Sequence, residues 1–328
     1  MGGSAHAYSM KAIGLTEFGG PGVLHIVELP VPEPGPGEVR IRVHAVAVNP
    51  TDATFRAGGR AAQLADRTPP YIPGVDAAGV VDQLGPGTSG RLSVGDRVIA
   101  LVVPMGPHGG TYAEQIVTDE RSVVRAPKDT TDAEAATLLL NGVAAQLALD
   151  ALDLKAGQVV AVTGAAGAVG GYAIQLARAR GLTVIADASP DDEDLVRALG
   201  AGHIIARGEG LTGQIRRLVP GGVPGLIDAA ALDAAVLPAI ADGGALATVR
   251  GWSGPAERGI TVHPVSAFVA ATDTALLEEL RDLAEDGTLS LRVADVMPAR
   301  YATQAHRRLA AGGVRGRIVL DFETPLIP

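Results

Sequence analysis

The 328-residue chain contains no cysteine, few aromatic residues and fewer basic than acidic side chains. The absence of cysteine excludes disulfides, thiolate metal ligands and thiol nucleophiles, so any nucleophile or metal ligand must be an oxygen or nitrogen atom. With 27 Lys and Arg against 36 Asp and Glu, the formal net charge is −9, which repels polyanions. We therefore expect neither nucleic acid nor a membrane surface as a partner.

Sequence motifs of several enzyme classes are missing as well. The chain has no GxxxxGK[ST] phosphate loop, no HExxH zinc motif, no GxSxG nucleophile elbow, and no Tyr followed four residues later by Lys. The seven histidines are scattered without the spacing of metal ligands: His6, His25, His44, His108, His203, His263 and His306. The sequence therefore predicts no metal site.

Two patterns of hydrophobicity divide the chain, whose length suggests about two domains. Residues 10–130 show short apolar runs separated by Pro-Gly clusters, which indicates a β domain. Over residues 131–261 strands alternate with predicted helices at 168–180, 190–199, 211–218 and 234–241, which indicates an α/β domain with a doubly wound parallel sheet. We expect residues 262–328 to complete the first domain, because their terminal strand needs a sheet. Residues 1–9 read as an added extension outside the fold.

The most informative segment is a buried strand that runs into a glycine turn and then a helix, VVAVTGAAGAVGG over residues 159–171. Glycines let the backbone approach a pyrophosphate, and the helix N-terminus supplies free N–H groups. A second strand ends in Asp187, at about the 20-residue spacing typical of an acid that binds the adenosine ribose. The segment predicts a Rossmann dinucleotide site, formed by Gly164, Ala165, Gly167, Ala168, Val169, Gly170, Asp187 and Ser189; the alternative is a tight turn alone.

Further motifs occur in a fixed order along residues 10–322. They include Asn49-Pro50-Thr51-Asp52, IPGVDAAGVV over 72–81, GDRV over 95–98, GGTYAE over 109–114 and GVRGRIVL over 313–320. The chain resembles the medium-chain dehydrogenase/reductase superfamily, and more closely its zinc-free quinone oxidoreductase branch, which includes zeta-crystallin. The resemblance implies a GroES-like β domain, a Rossmann cofactor domain, an active-site cleft between them, and hydride transfer from a reduced nicotinamide to an enone or quinone.

The chain departs from the zinc-dependent members of that superfamily. Those relatives carry Gly-His-Glu where this chain has Gly74-Val75-Asp76, and a four-cysteine lobe that is missing after Asp96. Without a Lewis acid an alcohol is not readily converted to an alkoxide, whereas conjugate reduction needs only a hydride and hydrogen bonds to the developing enolate. We therefore expect reduction of an activated C=C or a quinone without a metal.

The resemblance also implies the residues of the substrate site. Asn49 is expected beside the nicotinamide ribose or the substrate carbonyl, although an Asn before Pro also satisfies its own turn. Thr54 stands where some relatives have a tyrosine, and Tyr112 is the best phenolic candidate. The predicted catalytic residues are thus Asn49, Thr54 and Tyr112, with Asp52 as a structural cap. Three further aromatic residues could line the cleft or fill the core: Phe55, Tyr71 and Trp252.

The identity of the nicotinamide depends on charge. A carboxylate at Asp187 accepts both ribose hydroxyls of NADH and repels the 2′-phosphate of NADPH, so the sequence slightly favours NADH. Ser189 and Pro190 also match a helix start, with the following acidic residues complementing the helix dipole. NADPH dominates the family, and three basic residues could reach the site: Arg178, Arg180 and Arg207.

We accordingly expect a cytoplasmic, homodimeric NAD(P)H-dependent reductase of a small enone or quinone. Two alternatives remain open. One is a nucleotide-binding sensor or structural protein of the same fold without turnover, and the other is an enoyl reductase that acts in trans on carrier-bound acyl chains. Because one fold supports all of these, only the chemistry of the site separates them.

Overall fold

Strands dominate the first part of the chain and alternate with helices in the second, in a computed structural model that describes residues 8–255 and 257–327. The strands are β1 (Ser9–Gly14), β2 (His25–Pro30), β3 (Glu38–Val48), β4 (Asp76–Leu84), β5 (Arg97–Leu101), β6 (Gln115–Asp119), β7 (Val123–Arg125), β8 (Val159–Thr163), β9 (Thr183–Ala188), β10 (His203–Ala206), β11 (Val223–Asp228), β12 (Ile240–Thr248), β13 (Thr261–Pro264), β14 (Val293–Pro298) and β15 (Arg317–Asp321). The α-helices are α1 (Pro50–Arg56), α2 (Asp132–Ala135), α3 (Leu139–Leu152), α4 (Ala168–Ala179), α5 (Glu193–Leu199), α6 (Leu211–Leu218), α7 (Thr274–Glu285) and α8 (Ala302–Ala311).

The first compact unit is built on a seven-stranded sheet. It comprises the described chain up to Leu140, Ala270–Asp282 and the described residues from Leu291 onward. The strand order is β14-β15-β3-β4-β5-β7, with β6 also paired to β3, and a separate β1-β2 ribbon. Burial alternates over the first half of β3 and then becomes continuous, so this strand passes into the interior of the unit. The terminal strand β15 pairs antiparallel with β3.

The second compact unit is built on a six-stranded parallel sheet. It comprises Asn141–Val269 and Leu283–Ser290, and its strand order is β10-β9-β8-β11-β12-β13. The order reverses between β8 and β11, and ligands of such sheets bind outside the carboxyl ends of the strands at this point. The predicted α/β fold class, with a β domain and a doubly wound parallel sheet, is thereby confirmed.

Several local expectations need correction. The sequence analysis did not identify α3, because this helix is apolar on nearly all sides and lacks the one-sided periodicity of a surface helix. The expected helix over 234–241 is a 3-10 helix, Asp233–Ala239, which contains Pro238 and leads directly into β12. The expected helix over 190–199 begins as a 3-10 turn, Pro190–Asp192, before α5.

One helical stretch of the described chain has the length and composition of a membrane span. It runs over Asp132–Leu152; 78% of its apolar 18-residue window is buried inside the protein, and core helices of soluble proteins pass the same test. Residues 156–177, which include no charged side chain, form β8, the glycine turn and most of α4, as predicted.

The first ordered strand starts earlier than the sequence suggested. Ser9 belongs to β1 and is paired with Pro30, and the carbonyl oxygen of Tyr8 accepts a hydrogen bond from Val31 N at 2.9 Å. Residues 1–7 lie outside the described residues, so the hypothesis of an added extension there stays a prediction.

Two glycines fix how α4 packs on the end of β8. Gly164 has φ +65°, a backbone conformation that favours glycine, and a β-carbon at Gly170 would lie 2.3 Å from the carbonyl oxygen of Gly164. The third glycine of the turn, Gly167, has a φ of −73°, and a β-carbon there would meet only Gly164 O, at 3.1 Å. The helix can approach the strand this closely only because position 170 has no side chain.

We predict that Gly170→Ala lowers the free energy of unfolding by on the order of 2 kcal/mol, because the added methyl group must push α4 away from the turn. Gly167→Ala is the matched control and should change stability by less than about 0.5 kcal/mol. Urea unfolding followed by circular dichroism gives both values. Equal stability of the two variants would contradict the packing described here.

Candidate functional site

The glycine turn lies at the carboxyl end of β8 and is held by the neighbouring strand β9. The backbone N–H of Ala165 donates a hydrogen bond to Asp187 Oδ1 at 3.0 Å, over a sequence separation of 22 residues. Asp187 is the last but one residue of β9, and its carboxylate is buried, with 2% of the residue exposed. The predicted turn and the predicted acid are therefore in direct contact, and the acid stabilises the shape of the turn.

The N-terminus of α4 forms the adjoining part of the site. Gly167 precedes the first helical residue in an extended conformation, and Ala168, Val169 and Gly170 form the first turn of a 12-residue helix. The first N–H groups of a helix have no partner within it, and the helix dipole makes this end positive. The predicted cofactor residues 164–170 thus form one loop and helix end suited to bind an anion.

Asp187 has a second, charged partner. Its Oδ2 atom accepts a hydrogen bond from Arg207 Nε at 3.2 Å, and the Arg207 side chain is 41% exposed. Ser189 lies two residues beyond Asp187, and its hydroxyl donates to Asp192 Oδ2 at 2.6 Å instead of capping a helix N–H group. With its two oxygens engaged and almost no exposed surface, the Asp187 carboxylate does not face solvent as an open ribose acceptor.

A third strand end, that of β11, braces the turn from the opposite side. Asp228 Oδ1 accepts from Thr163 Oγ1 at 2.6 Å and from Ala230 N at 3.2 Å, while Oδ2 accepts from Asp233 N at 2.7 Å. Two non-glycine residues of this loop have positive φ, 56° at Ala231 and 53° at Asp233. Sequence reasoning missed Asp228, although an acid that directly follows a buried strand in an alternating α/β pattern is a signal that could have found it.

In the first unit, Asn49 lies at the junction of β3 and α1 and is fully buried. Its Nδ2 atom donates to Asp76 Oδ2 at 2.9 Å, and Asp76 Oδ1 accepts from Leu140 N at 2.9 Å. Asp76 therefore fixes the orientation of the Asn49 carboxamide and satisfies a backbone N–H group at the start of α3. The sequence analysis treated Asp76 only as the residue in place of a zinc-ligand motif.

Asp52 and Tyr112 form a second buried pair beside Asn49. Asp52 Oδ2 accepts from Asn49 N at 2.8 Å, which confirms its predicted role as a structural cap of α1. The Tyr112 hydroxyl lies 3.3 Å from Asp52 Oδ2 and 3.0 Å from His306 Nε2. The phenol is fully buried. Its polar contacts are therefore with side chains of the first unit, which favours a positioning role over direct contact with a substrate.

Burial changes the protonation of these groups. It raises the pKa of both Asp52 and Asp76 to about 7, with the charge of Asp76 adding to the effect at Asp52. Burial and the charge of Arg56 lower the pKa of His306 to about 3, so its imidazole is neutral. Burial also raises the pKa of Tyr112 well above its usual range. Both oxygens of Asp76 accept hydrogen bonds, whereas Asp52 Oδ1 has no partner, so the geometry favours Asp52 as the carboxyl that takes up a proton.

The remaining candidates lie in different surroundings. Thr54 is exposed on α1, and its hydroxyl donates to Pro50 O at 3.1 Å within that helix. Phe55 is buried in the core of the first unit, and Tyr71 stacks on Phe18 with ring centroids 5.2 Å apart. Trp252 packs against the core of the second unit. Of the described residues, no group of three or more His, Asp or Glu is arranged to hold a metal ion.

The raised pKa of Asp52 predicts that a proton bound in the folded protein is lost from the unfolded chain, where the ordinary pKa is 3.8. The proton that Asp52 retains stabilises the folded protein. This stabilisation is fully present below about pH 4 and is lost as the pH rises to about 7. The pKa of His306 is lowered on folding, so its contribution to stability changes with pH in the opposite direction. Asp52→Asn removes the titration but keeps an oxygen that can accept from Asn49 N. Between pH 5 and pH 7.5 we expect the free energy of unfolding of wild type to fall by more than about 1 kcal/mol relative to that of Asp52→Asn. Parallel pH profiles of the two unfolding free energies would contradict the assignment.

The chain is similar to known proteins over its whole length. The family model of the alcohol dehydrogenase GroES-like domain matches residues 35–128, and that of zinc-binding dehydrogenase matches residues 112–320. A quinone oxidoreductase of Sus scrofa is 30% identical over 333 aligned residues, which cover 95% of this chain and 97% of that protein.

Two further matches are to a curated relative, over part of the chain, and to a solved structure, over most of it. A quinone oxidoreductase of Pongo abelii is 32% identical over 198 residues, and the matched part of the chain spans 57% of that relative's length. Among solved structures, a mycobacterial protein complexed with NADPH superposes with a TM-score of 0.84 at 31% identity, over 95% of this chain and 100% of that one. From these matches and the two folded units, the chain belongs to the quinone oxidoreductase branch of the medium-chain dehydrogenase/reductase superfamily.

Proposed function

We propose that this protein is an NAD(P)H-dependent reductase that transfers a hydride to a quinone or to the activated C=C bond of an enone. The observation that carries the proposal is the glycine turn at the carboxyl end of β8, which is braced by Asp187 and continues into the N-terminus of α4. The NADPH bound by the mycobacterial neighbour and the names of the quinone oxidoreductase relatives support the same activity.

The residues of the turn fit a dinucleotide. Gly167 precedes α4 and carries no side chain, so an anion can approach the backbone there. The N–H groups of Ala168, Val169 and Gly170 would hold the pyrophosphate through hydrogen bonds and the positive end of the helix dipole. Ala165 and Gly164 shape the loop, because one is held by Asp187 and the other adopts a positive φ.

The nicotinamide supplies the hydride when it is bound, and the protein's own residues orient the reactants. After hydride transfer a quinone carries a negative oxygen that takes a proton to give the hydroquinone, whereas an enone becomes an enolate that takes a proton at its α-carbon to give the saturated ketone. We propose that Asn49, whose carboxamide is oriented by Asp76, contacts the substrate or the nicotinamide ribose. Tyr112 acts on that arrangement through Asp52, and Thr54 stays a candidate for substrate contact on the exposed side of α1.

Zinc independence is part of the proposal. The chain has no cysteine and lacks the Gly-His-Glu motif, and Asp76, which stands in its place, already binds Asn49 and Leu140 N. Reaction through hydride transfer to a conjugated acceptor does not require a Lewis acid. The domain limits at 130 and 261, the homodimer and the cytoplasmic location remain predictions.

The Gly167→Val variant tests the cofactor site. Valine places two methyl groups where the backbone must approach a phosphate, so we expect NADPH and NADH affinity to fall by at least about tenfold, equivalent to roughly 1.4 kcal/mol. The melting temperature should stay within a few degrees of wild type, because the one close contact of a β-carbon at 167, 3.1 Å from Gly164 O, is relieved by a shift of a few tenths of an ångström. Unchanged nucleotide titration of a folded Gly167→Val protein would rule out this site.

Turnover separates an enzyme from a nucleotide sensor. We expect purified protein to oxidise NADPH or NADH, followed at 340 nm, with small quinones or enones, and the Gly167→Val variant to lose this activity. Tight nucleotide binding without oxidation by any member of a quinone and enone panel would contradict the proposed reaction and favour the sensor alternative.

Metal removal tests zinc independence. Prolonged treatment with EDTA should leave the reductase activity unchanged, since no metal-ligand motif of the zinc-dependent relatives is present in the sequence. The rate is measured before treatment, after removal of the chelator by dialysis, and after addition of Zn²⁺. Loss of activity that Zn²⁺ restores would overturn this part of the proposal.

A further inference from the structure

The environment of Asp187 bears on which nicotinamide the protein uses. A free carboxylate at the end of this strand accepts the ribose hydroxyls of NADH and repels a 2′-phosphate. In this structure Asp187 Oδ1 binds Ala165 N and Oδ2 binds the Arg207 guanidinium. The negative charge of Asp187 is therefore balanced by the adjacent positive charge of Arg207. As a result, Asp187 repels a 2′-phosphate less than a free carboxylate would.

Arg207 is held at the edge of the sheet where the adenosine ribose of a bound dinucleotide lies. It follows the last residue of β10, which pairs in register with the end of β9 through Ala206 and Ala188. The Arg207 N–H donates to Ala188 O at 3.1 Å. The preceding residue is fixed by Gln214, whose side chain bonds both Ala206 N and Ala206 O, at 2.9 and 3.1 Å. The base of the Arg207 side chain is thus fixed before any ligand binds.

The outer part of the guanidinium is available to a ligand. Arginine has five N–H donors, and Asp187 takes only the one on Nε. The two Nη atoms carry the other four, and they donate no hydrogen bond to residues 8–255 and 257–327. With 41% of the side chain exposed, they can form the paired, charge-assisted hydrogen bonds that arginine makes to phosphate.

We propose that Arg207 selects NADPH over NADH by binding the 2′-phosphate of the adenosine ribose, and that Asp187 is a positioning residue that holds the Arg207 guanidinium and the glycine turn in place. The proposal rests on the proposed function, since it concerns the same cofactor site. It reverses the slight preference for NADH that the sequence indicated, because that preference assumed a free Asp187 carboxylate.

Equilibrium binding of both nucleotides tests this assignment without relying on activity. Dissociation constants for NADPH and NADH are measured by fluorescence or calorimetry for wild type, Arg207→Gln and Arg217→Gln. Arg217 is the matched control, because it is an exposed arginine of α6 in the same unit, and its replacement removes the same charge. Thermal unfolding of each variant confirms that it is folded.

We expect wild type to bind NADPH more tightly than NADH, and Arg207→Gln to weaken NADPH by roughly tenfold to a hundredfold while NADH changes by less than about threefold. Arg217→Gln should leave both constants unchanged. The fragment 2′,5′-ADP should compete better than 5′-AMP with wild type but not with Arg207→Gln. Arg207→Lys, which keeps the charge, should recover part of the NADPH affinity.

Three results would contradict the assignment or its basis. Equal weakening of NADPH and NADH in Arg207→Gln would show that Arg207 only supports the glycine turn, and unchanged constants for both nucleotides would show that Arg207 does not bind the 2′-phosphate. Either result overturns the inference and leaves the proposed function intact. Failure of wild type to bind either nucleotide overturns the proposed function itself.

Discussion

The close approach of α4 to the end of β8 is the constraint on which the candidate site depends. Position 170 must lack a side chain, because a β-carbon there would lie 2.3 Å from Gly164 O. Only this approach brings the N-terminus of α4 next to the glycine turn, where its N–H groups can face a phosphate. Asp187 and Asp228, at the ends of the two neighbouring strands, then hold the turn and the adjoining loop from either side. The shape of the turn is therefore set by contacts that exist before any nucleotide binds.

Buried carboxylates have different structural roles in the two units. In the second unit Asp187 lies next to a cation, so its charge is compensated where a phosphate would come near. In the first unit Asp52 and Asp76 are fully surrounded by protein, and burial raises the pKa of both toward neutrality. Asp76 uses both oxygens to hold Asn49 and the start of α3, so loss of this carboxylate would remove one acceptor of the Asn49 carboxamide and the acceptor of the buried Leu140 N–H group.

The sequence predicted best the features that depend on residues close together in the chain. The glycine turn and α6, which begins and ends at Leu211 and Leu218 as predicted, follow from local spacing and periodicity. Helix α3 was missed because it is apolar nearly all round. The stretch 233–239 was predicted as a helix and is a 3-10 helix that contains Pro238. The pairs Asp187–Arg207 and Asn49–Asp76 join residues 20 and 27 positions apart, and no local pattern reports such contacts. The slight preference for NADH was therefore based on the Asp187 carboxylate alone.

The central claim is that the turn and the first residues of α4 bind the pyrophosphate of a nicotinamide dinucleotide. A crystal structure of the protein with NADPH tests this claim most directly. The account predicts pyrophosphate oxygens within about 3.2 Å of backbone nitrogens of residues 168–170, with the adenosine ribose at the end of β9. Density for the pyrophosphate elsewhere on the protein, with these N–H groups bound only to water, would contradict it.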